Sequence, residues 1–154
     1  MTLEINTSNA EDTRALARRL AQLLQGGEVI ELQSDLGGGK TTFVQGLAAG
    51  LGYSGPVTSP TFTLNNIYQL PHGLQLQHYD LYRLDKAGIM ANELAENLGN
   101  PSFITVLEWA GVAQAELPLD RIVIVFEVIA ESGRSLVITS GGPLSTALLD
   151  RLVA

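Results

Sequence analysis

The chain has 154 residues, of which 45% are hydrophobic, and this length predicts one domain over residues 1–154 rather than two. Its 16 acidic and 9 basic residues give a formal charge of −7, which opposes unaided binding to nucleic acid because Lys and Arg supply most affinity for phosphate backbones. The absence of cysteine excludes disulfide scaffolds, thiolate metal sites and cysteine nucleophiles, so any metal is expected to have oxygen ligands.

The first third of the chain predicts a strand, a helix, a second strand and a second helix. A short strand is expected at Leu3–Asn6, and Ser8 is the predicted cap of a helix with apolar residues at helical spacing. Gly26 and the glycine after it end that helix. The β-prone run Val29–Leu32 then leads into three glycines and a second helical pattern over Lys40–Leu51.

The rest of the chain predicts a hairpin followed by further strands and helices. Extended segments at Thr61–Leu70 and Leu74–Tyr79 flank a turn at Pro71–Gly73. Beyond them we expect a helix around Asn92–Leu98, strands at Phe103–Leu107, Arg121–Ile129 and Ser135–Thr139, and a last helix at Leu144–Val153. This order predicts an α/β fold, a three-layer sandwich with a mixed, partly parallel sheet. No run reaches the roughly 18 apolar residues of a membrane span and no secretory signal pattern is found, so we expect a soluble, cytoplasmic protein without membrane contact.

The segment Ser34–Thr41 fits the pattern of a nucleotide-phosphate-binding loop, a glycine-rich turn followed by Lys and then Ser or Thr. Its consecutive glycines let the backbone turn N–H groups towards phosphate oxygens, and the next helix adds the positive end of its dipole. Lys40 is predicted to hold the β and γ phosphates, and Thr41 to coordinate Mg²⁺. Thr42 is expected near the α phosphate. The strand-to-helix context favours this function over a flexible turn beside a chance lysine.

Glu108 is the first candidate for the acid that a phosphate loop needs to complete the Mg²⁺ shell. Such a carboxylate typically ends a neighbouring buried strand, and Glu108 follows the largely apolar run Phe103–Leu107. It is predicted to bind Mg²⁺, to orient water, or both. The alternative is a solvated acid at a strand end.

Asp80 is the second candidate acid, because it follows the β-prone run Leu74–Tyr79. It is predicted to orient the attacking water or to bind the metal through water. The alternatives are a helix cap or an ion pair with Arg83. His78, which precedes it by two residues, is interpreted as structural rather than catalytic.

The loop Thr58–Thr61 comes after the phosphate-loop helix, where nucleotide switches often sense the γ phosphate. The hydroxyl of Ser59 or Thr61 is a candidate sensor. Taken alone, the Ser-Pro pair is equally consistent with an ordinary turn. Trp109 is either packed in the core or part of a contact surface.

These motifs together resemble the bacterial tRNA threonylcarbamoyladenosine biosynthesis ATPase family, known as TsaE and formerly as YjeE. The resemblance covers nearly the whole chain and rests on Asp35–Thr42, Ser59–Leu64, His78–Leu84 and Leu107–Trp109, in the family's order. The chain departs from the family pattern at Ser34, which stands in place of the first loop glycine. Further departures are the segment Asp85–Asn97 and the pair Ala110 and Gly111.

The resemblance implies an ATPase with ATP and Mg²⁺ that works with TsaD and TsaB homologues to modify the adenosine beside certain tRNA anticodons. It implies metal contacts for Thr41 and Glu108, a catalytic or metal-linked role for Asp80, and an indirect encounter with tRNA through the complex. Triphosphate contacts are implied for Leu36, Gly37, Gly38, Gly39, Lys40, Thr41 and Thr42. Thr13, Gly133 and Arg134 match weaker family positions that border the adenosine.

Two other functions stay open. A small phosphotransferase is compatible with the loop and with Asp80 as a base, although no acceptor pocket or arginine-rich kinase lid is identifiable. A nucleotide-gated binding module with negligible hydrolysis is the second. The guanine-reading Asn-Lys-x-Asp motif is absent, which favours ATP over GTP in each case.

Overall fold

The computed structural model describes residues 1–34, 39–60, 64–82 and 88–154, and its strands join in one mixed sheet. The strands are β1 (Thr2–Thr7), β2 (Val29–Gln33), β3 (Asn65–Gln69), β4 (Gln75–Asp80), β5 (Phe103–Glu108), β6 (Ile122–Val128) and β7 (Arg134–Ser140). The helices are α1 (Ala10–Ala21), α2 (Lys40–Gly50), α3 (Gly88–Asn97) and α4 (Pro143–Val153). Short 3-10 helices lie at Pro71–Gly73 and Ala110–Glu116.

The centre of the sheet is parallel and its edges are antiparallel. The strand order is β1-β7-β6-β2-β5-β4-β3, with β2 parallel to both β5 and β6 and β4 parallel to β5. Strand β5 is buried along most of its length, as expected for a central parallel strand covered on both faces. Because parallel strands end at the same edge, the last residues of β2, β4 and β5 are brought together there.

Helices cover both faces of the sheet, which confirms the predicted α/β three-layer sandwich with a mixed, partly parallel sheet. Helices α1, α2 and α4 bury their apolar residues against one face, around Leu20, Phe43 and Leu149. Helix α3 and the second 3-10 helix cover the other face through Leu94 and Ala113. Within the described ranges, no helix is long and apolar enough to cross a membrane.

The second face also holds a buried polar network around Tyr79 of β4. Its hydroxyl donates to Gln77 Oε1, 2.9 Å away, lies 3.3 Å from Glu93 Oε1 as a second possible acceptor, and accepts from the Asn97 amide. Burial is the main reason that the pKa of Tyr79 is raised to about 12, with a smaller contribution from Glu93 and an opposing one from Asn97. This network fastens α3 to the sheet.

The boundaries of three elements differ from the sequence prediction. Asn9, not Ser8, caps α1: its Oδ1 accepts from the Asp12 N–H at 2.9 Å, while the Ser8 N–H donates to the Asp12 carboxylate at 3.0 Å. Strand β3 begins at Asn65, after Leu64 with a φ of +67°, and residues 61–63 lie outside the described residues. Helix α3 begins at Gly88, before the expected start.

Helices α1 and α2 pack so closely that Gly46 is required at their crossing. A Cβ added at Gly46 would lie 2.4 Å from the Arg14 carbonyl oxygen and 2.9 Å from the Ala17 Cβ. We expect Gly46→Ala to lower the free energy of unfolding by about 2 kcal/mol, since overpacking outweighs the gain in helix propensity. Urea denaturation measures this change. Gly111→Ala is the matched control, because its Cβ would meet nothing within 4 Å. Equal stability of the two variants would contradict the expectation.

Candidate functional site

The candidate site lies where β2, β5 and β4 end side by side. Leu32 of β2 pairs with Glu108, and Glu108 pairs with Asp80 of β4. Glu108 and Asp80 are both buried, at 3% and 4% exposure. The structure therefore brings the two predicted acids together at the edge from which the phosphate loop departs.

Lys40 begins α2 on the other side of the loop, and its amino group contacts Ser34 and Trp109. Its amino group donates to the Ser34 carbonyl oxygen at 3.1 Å and to the Ser34 hydroxyl at 3.2 Å. It also lies 4.8 Å from the centre of the Trp109 ring, at cation–π distance. The Ser34 hydroxyl, at the position where the phosphate-loop pattern has glycine, thus accepts a hydrogen bond from the loop lysine.

Gly39 precedes α2 with a φ of +103°, a left-handed conformation that glycine adopts without strain. It offers no side chain to accept from the first N–H groups of the helix, and such groups favour an anion. Thr41 and Thr42 lie in this first turn and are half-buried. Leu36, Gly37 and Gly38 lie outside the described residues, so their predicted phosphate contacts stay predictions.

The Glu108 side chain is engaged by a residue that sequence reasoning set aside as structural. His78 Nε2 lies 2.7 Å from Glu108 Oε2, and both side chains are buried. The alternative of a solvated strand-end acid is therefore wrong for Glu108. The sequence did contain a signal for the role of His78. Side chains alternate between the two faces of a strand, so His78 and Asp80 are expected on the same side of β4.

Asp80 accepts a hydrogen bond from the backbone just after β4, and Arg83, its alternative ion-pair partner, lies outside the described residues. Asp80 Oδ1 accepts from the Tyr82 N–H at 3.0 Å. The ring of Tyr82 in turn packs on Trp109, with 4.9 Å between centroids. Trp109 has a φ of +55°, an uncommon conformation for a residue other than glycine, directly after Glu108. The sequence did not indicate this aromatic pair, which adjoins Lys40, Asp80 and Glu108.

Three weaker predicted positions are linked through Thr7, and one of them, Arg134, lies beside the loop residue Gly39. The Thr13 hydroxyl is 2.8 Å from that of Thr7, which pairs with Arg134 in the sheet. The Arg134 side chain lies against Gly39, where an added Cβ would be 3.7 Å from Arg134 Nε. Its Nη1 donates to backbone carbonyls of the β6–β7 turn, including that of Gly133. Its Nε is buried and has no hydrogen-bond partner among the described residues, which suits a ligand acceptor.

The candidate switch loop is described only in part. Ser59 is exposed, and Thr61 lies outside the described residues. The loop is fastened to β3 by Tyr68, whose hydroxyl donates to the Thr58 carbonyl at 3.3 Å. The Leu64 N–H donates to the Pro60 carbonyl at 2.8 Å. The predicted γ-phosphate contact of Ser59 or Thr61 stays a prediction.

Cavities accompany both ends of the sheet. One of about 290 Å³ adjoins the loop and is lined by Ser34, Trp109 and Gln114 together with Glu31. The Glu31 carboxylate is buried and accepts from Arg121 at 3.0 Å and from Gln114 at 2.8 Å. A cavity of about 530 Å³ opens at the opposite ends of β2 and β6 and holds none of the predicted site residues. The larger of these two cavities is therefore not the candidate site, which lies at the smaller one beside the loop.

Comparisons with known proteins identify a matching family model, similar sequences and a similar solved structure. A family model described as "Threonylcarbamoyl adenosine biosynthesis protein TsaE" matches residues 7–136. The chain is 34% identical over 155 residues to the tRNA threonylcarbamoyladenosine biosynthesis protein TsaE of Bacillus subtilis, covering 97% of this chain and 93% of that protein. It is 41% identical over 133 residues to the protein of the same name from Aquifex aeolicus, covering 85% and 91%. A crystal structure of B. subtilis YdiB superimposes with a TM-score of 0.84 at 33% identity, covering 99% and 95%.

Proposed function

This chain belongs to the TsaE family, whose members take part in tRNA threonylcarbamoyladenosine biosynthesis, and from that premise we propose that it binds and hydrolyses ATP with Mg²⁺ at Ser34–Thr41. The observation that carries the proposal is the meeting of Lys40, Asp80 and Glu108 where three adjacent strands end beside the start of α2. A cation, two buried acids and a helix N-terminus in one place suit a phosphate chain with a metal ion.

The donor set fits ATP and Mg²⁺ in its chemistry. Lys40 and the N–H groups at the start of α2 would bind the phosphates. Arg134 Nε, which has no hydrogen-bond partner within the described ranges, offers a further donor beside Gly39. The Thr41 hydroxyl and the Glu108 carboxylate would hold Mg²⁺, which prefers hard oxygen ligands of this kind alongside phosphate oxygens. When bound, Mg²⁺ neutralises charge that develops on the phosphates. Asp80 is the residue we assign to orienting the attacking water.

We further propose that TsaD and TsaB homologues are the partners, with tRNA met only through the assembled complex. The net charge of −7 supports this division of labour, since an acidic chain gains little from a phosphate backbone. Hydrolysis is expected to be slow in the isolated chain and faster in the complex. This proposal assigns the transfer of the threonylcarbamoyl group to the partners.

Depletion of the protein in its own host tests this function. We expect threonylcarbamoyladenosine to disappear from bulk tRNA, and expression of the wild-type chain to restore it. The Lys40→Ala variant should not restore it, although it accumulates to the same level. Nucleoside mass spectrometry of digested tRNA measures the outcome. Intact modification after depletion would overturn the proposed role.

Labelled ATP separates this function from the two alternatives. With γ-labelled ATP, the purified complex should release label only as inorganic phosphate. Transfer of label to another small molecule would establish the phosphotransferase instead. Bound ATP that persists through a single-turnover experiment with both partners present would establish a binding module.

A further inference from the structure

His78 and Glu108 form a buried pair on the face of the sheet that α2 covers. The two side chains meet through His78 Nε2 and Glu108 Oε2 at 2.7 Å. The other ring nitrogen, Nδ1, is buried and has no hydrogen-bond partner among the residues that the structure describes. The only polar contact of the His78 ring in that part of the chain is therefore with Glu108.

Packing alone does not account for a histidine at this position. Neighbouring residues on the same face, such as Leu76, Ile104 and Val106, are buried and apolar. An apolar side chain at residue 78 would avoid the cost of a buried, unpaired ring nitrogen, which is about 1–3 kcal/mol. Buried polar atoms without a hydrogen-bond partner are rare in folded proteins, so a histidine at this position needs an explanation. The contact of its other ring nitrogen with Glu108 is that explanation.

We infer that His78 is a positioning residue for Glu108, an inference that rests on the proposed Mg²⁺ site. The Nε2–H group donates to Oε2 and fixes one orientation of the carboxylate, which leaves Oε1 for the metal or a metal-bound water. Strand register makes this possible, because His78 pairs with Val106 two residues before Asp80 pairs with Glu108, so the side chains of His78 and Glu108 lie on the same face. Carboxylates that bind metals are commonly oriented by such a second hydrogen bond.

The tautomer of His78 provides a test that involves no activity. The chain has two histidines, and His72 is exposed in the turn between β3 and β4, so their imidazole signals are readily assigned. Long-range ¹H–¹⁵N spectra of the full chain should show a proton on His78 Nε2, the atom that donates to Glu108 in this inference. A proton fixed on Nδ1 alone would overturn the inference, since Nε2 could not then donate to Glu108.

Mg²⁺-dependent nucleotide affinity tests the positioning role directly. The probe is a non-hydrolysable ATP analogue, titrated calorimetrically with Mg²⁺ and again with EDTA. We expect His78→Leu to reduce the affinity gain from Mg²⁺ by about 10-fold or more, with little change in EDTA. His78→Gln should keep most of the gain, because its side-chain amide can place a donor near the position of Nε2.

A double-mutant cycle separates positioning from a general structural effect. In a Glu108→Ala background, His78→Leu should cause no further loss of the Mg²⁺ gain, because the residue through which it acts is gone. The inference would be overturned if His78→Leu lowered the affinity gain from Mg²⁺ as much in the Glu108→Ala background as in the wild type. It would also be overturned if the single His78→Leu variant kept the full gain. If wild type itself shows no gain from Mg²⁺, the proposed metal site fails and the inference fails with it. If His78→Leu does not fold, the inference is still tested by the Mg²⁺ gain of His78→Gln and by the position of the His78 proton in the wild-type spectra.

Discussion

Replacing Lys40 with alanine is expected to weaken ATP binding by about 100-fold or more. Charge-assisted hydrogen bonds contribute roughly 1.5–3 kcal/mol each, and the lysine is assigned to two phosphates. Folding should change little, because among the described residues the side chain of Lys40 contacts only Ser34 and the Trp109 ring. Calorimetric titration with MgATP measures the affinity, and thermal unfolding without nucleotide measures the stability.

Two further variants make the Lys40 result specific. Lys40→Arg keeps the charge but changes its shape, so it should recover only part of the affinity. Arg151→Ala removes a cation from the exposed side of α4 and should leave binding unchanged. Undiminished MgATP affinity in Lys40→Ala would remove the lysine from the site.

Replacing Glu108 is expected to separate nucleotide binding from turnover. Glu108→Ala should retain ATP affinity in EDTA, and Mg²⁺-dependent hydrolysis by the complex should fall by about 100-fold or more, as expected when a metal ligand is lost. Glu108→Gln keeps the shape and an acceptor for His78 while removing the charge, so it should show nearly the same loss with a smaller effect on folding. Phosphate release over a range of Mg²⁺ concentrations measures both variants.

The control for the Glu108 variants is a variant that lacks a different carboxylate, one that lies far from the site. Asp150 is exposed on α4, and Asp150→Ala should hydrolyse ATP at the wild-type rate. Wild-type turnover in Glu108→Gln would exclude Glu108 from metal binding. Loss of ATP affinity in EDTA as well would show that Glu108 mainly supports the fold.

Local patterns in the sequence predict the central features of the site well. A β-prone run, consecutive glycines and a helical pattern are contiguous, so the order of β2, loop and α2 needs no tertiary information. The positions of Asp80 and Glu108 at strand ends follow equally from the apolar runs before them. The predicted acids therefore meet once β4 and β5 pair in parallel.

The remaining features depend on contacts that no local pattern contains. The pairing of His78 with Glu108 requires the register between two strands separated by α3, and only the folded sheet sets that register. The contact of Ser34 with Lys40 similarly depends on where the end of β2 lies relative to the start of α2. At the start of α1, Ser8 and Asn9 are both good caps, and the choice between them depends on where the backbone leaves β1.

If the chain binds ATP as proposed, the strand partners of β2 determine when a newly made chain can do so. Val29 pairs with Thr105 and Ile30 with Ile122, so β2 lacks both neighbours until most of the chain has left the ribosome. Such distant pairings are slow to form and leave strand edges open in the meantime. A nascent chain released before β6 is complete should therefore bind no ATP, although its phosphate loop is translated early. A nucleotide that binds only the chain with its complete sheet would stabilise that folded state over the partly folded ones.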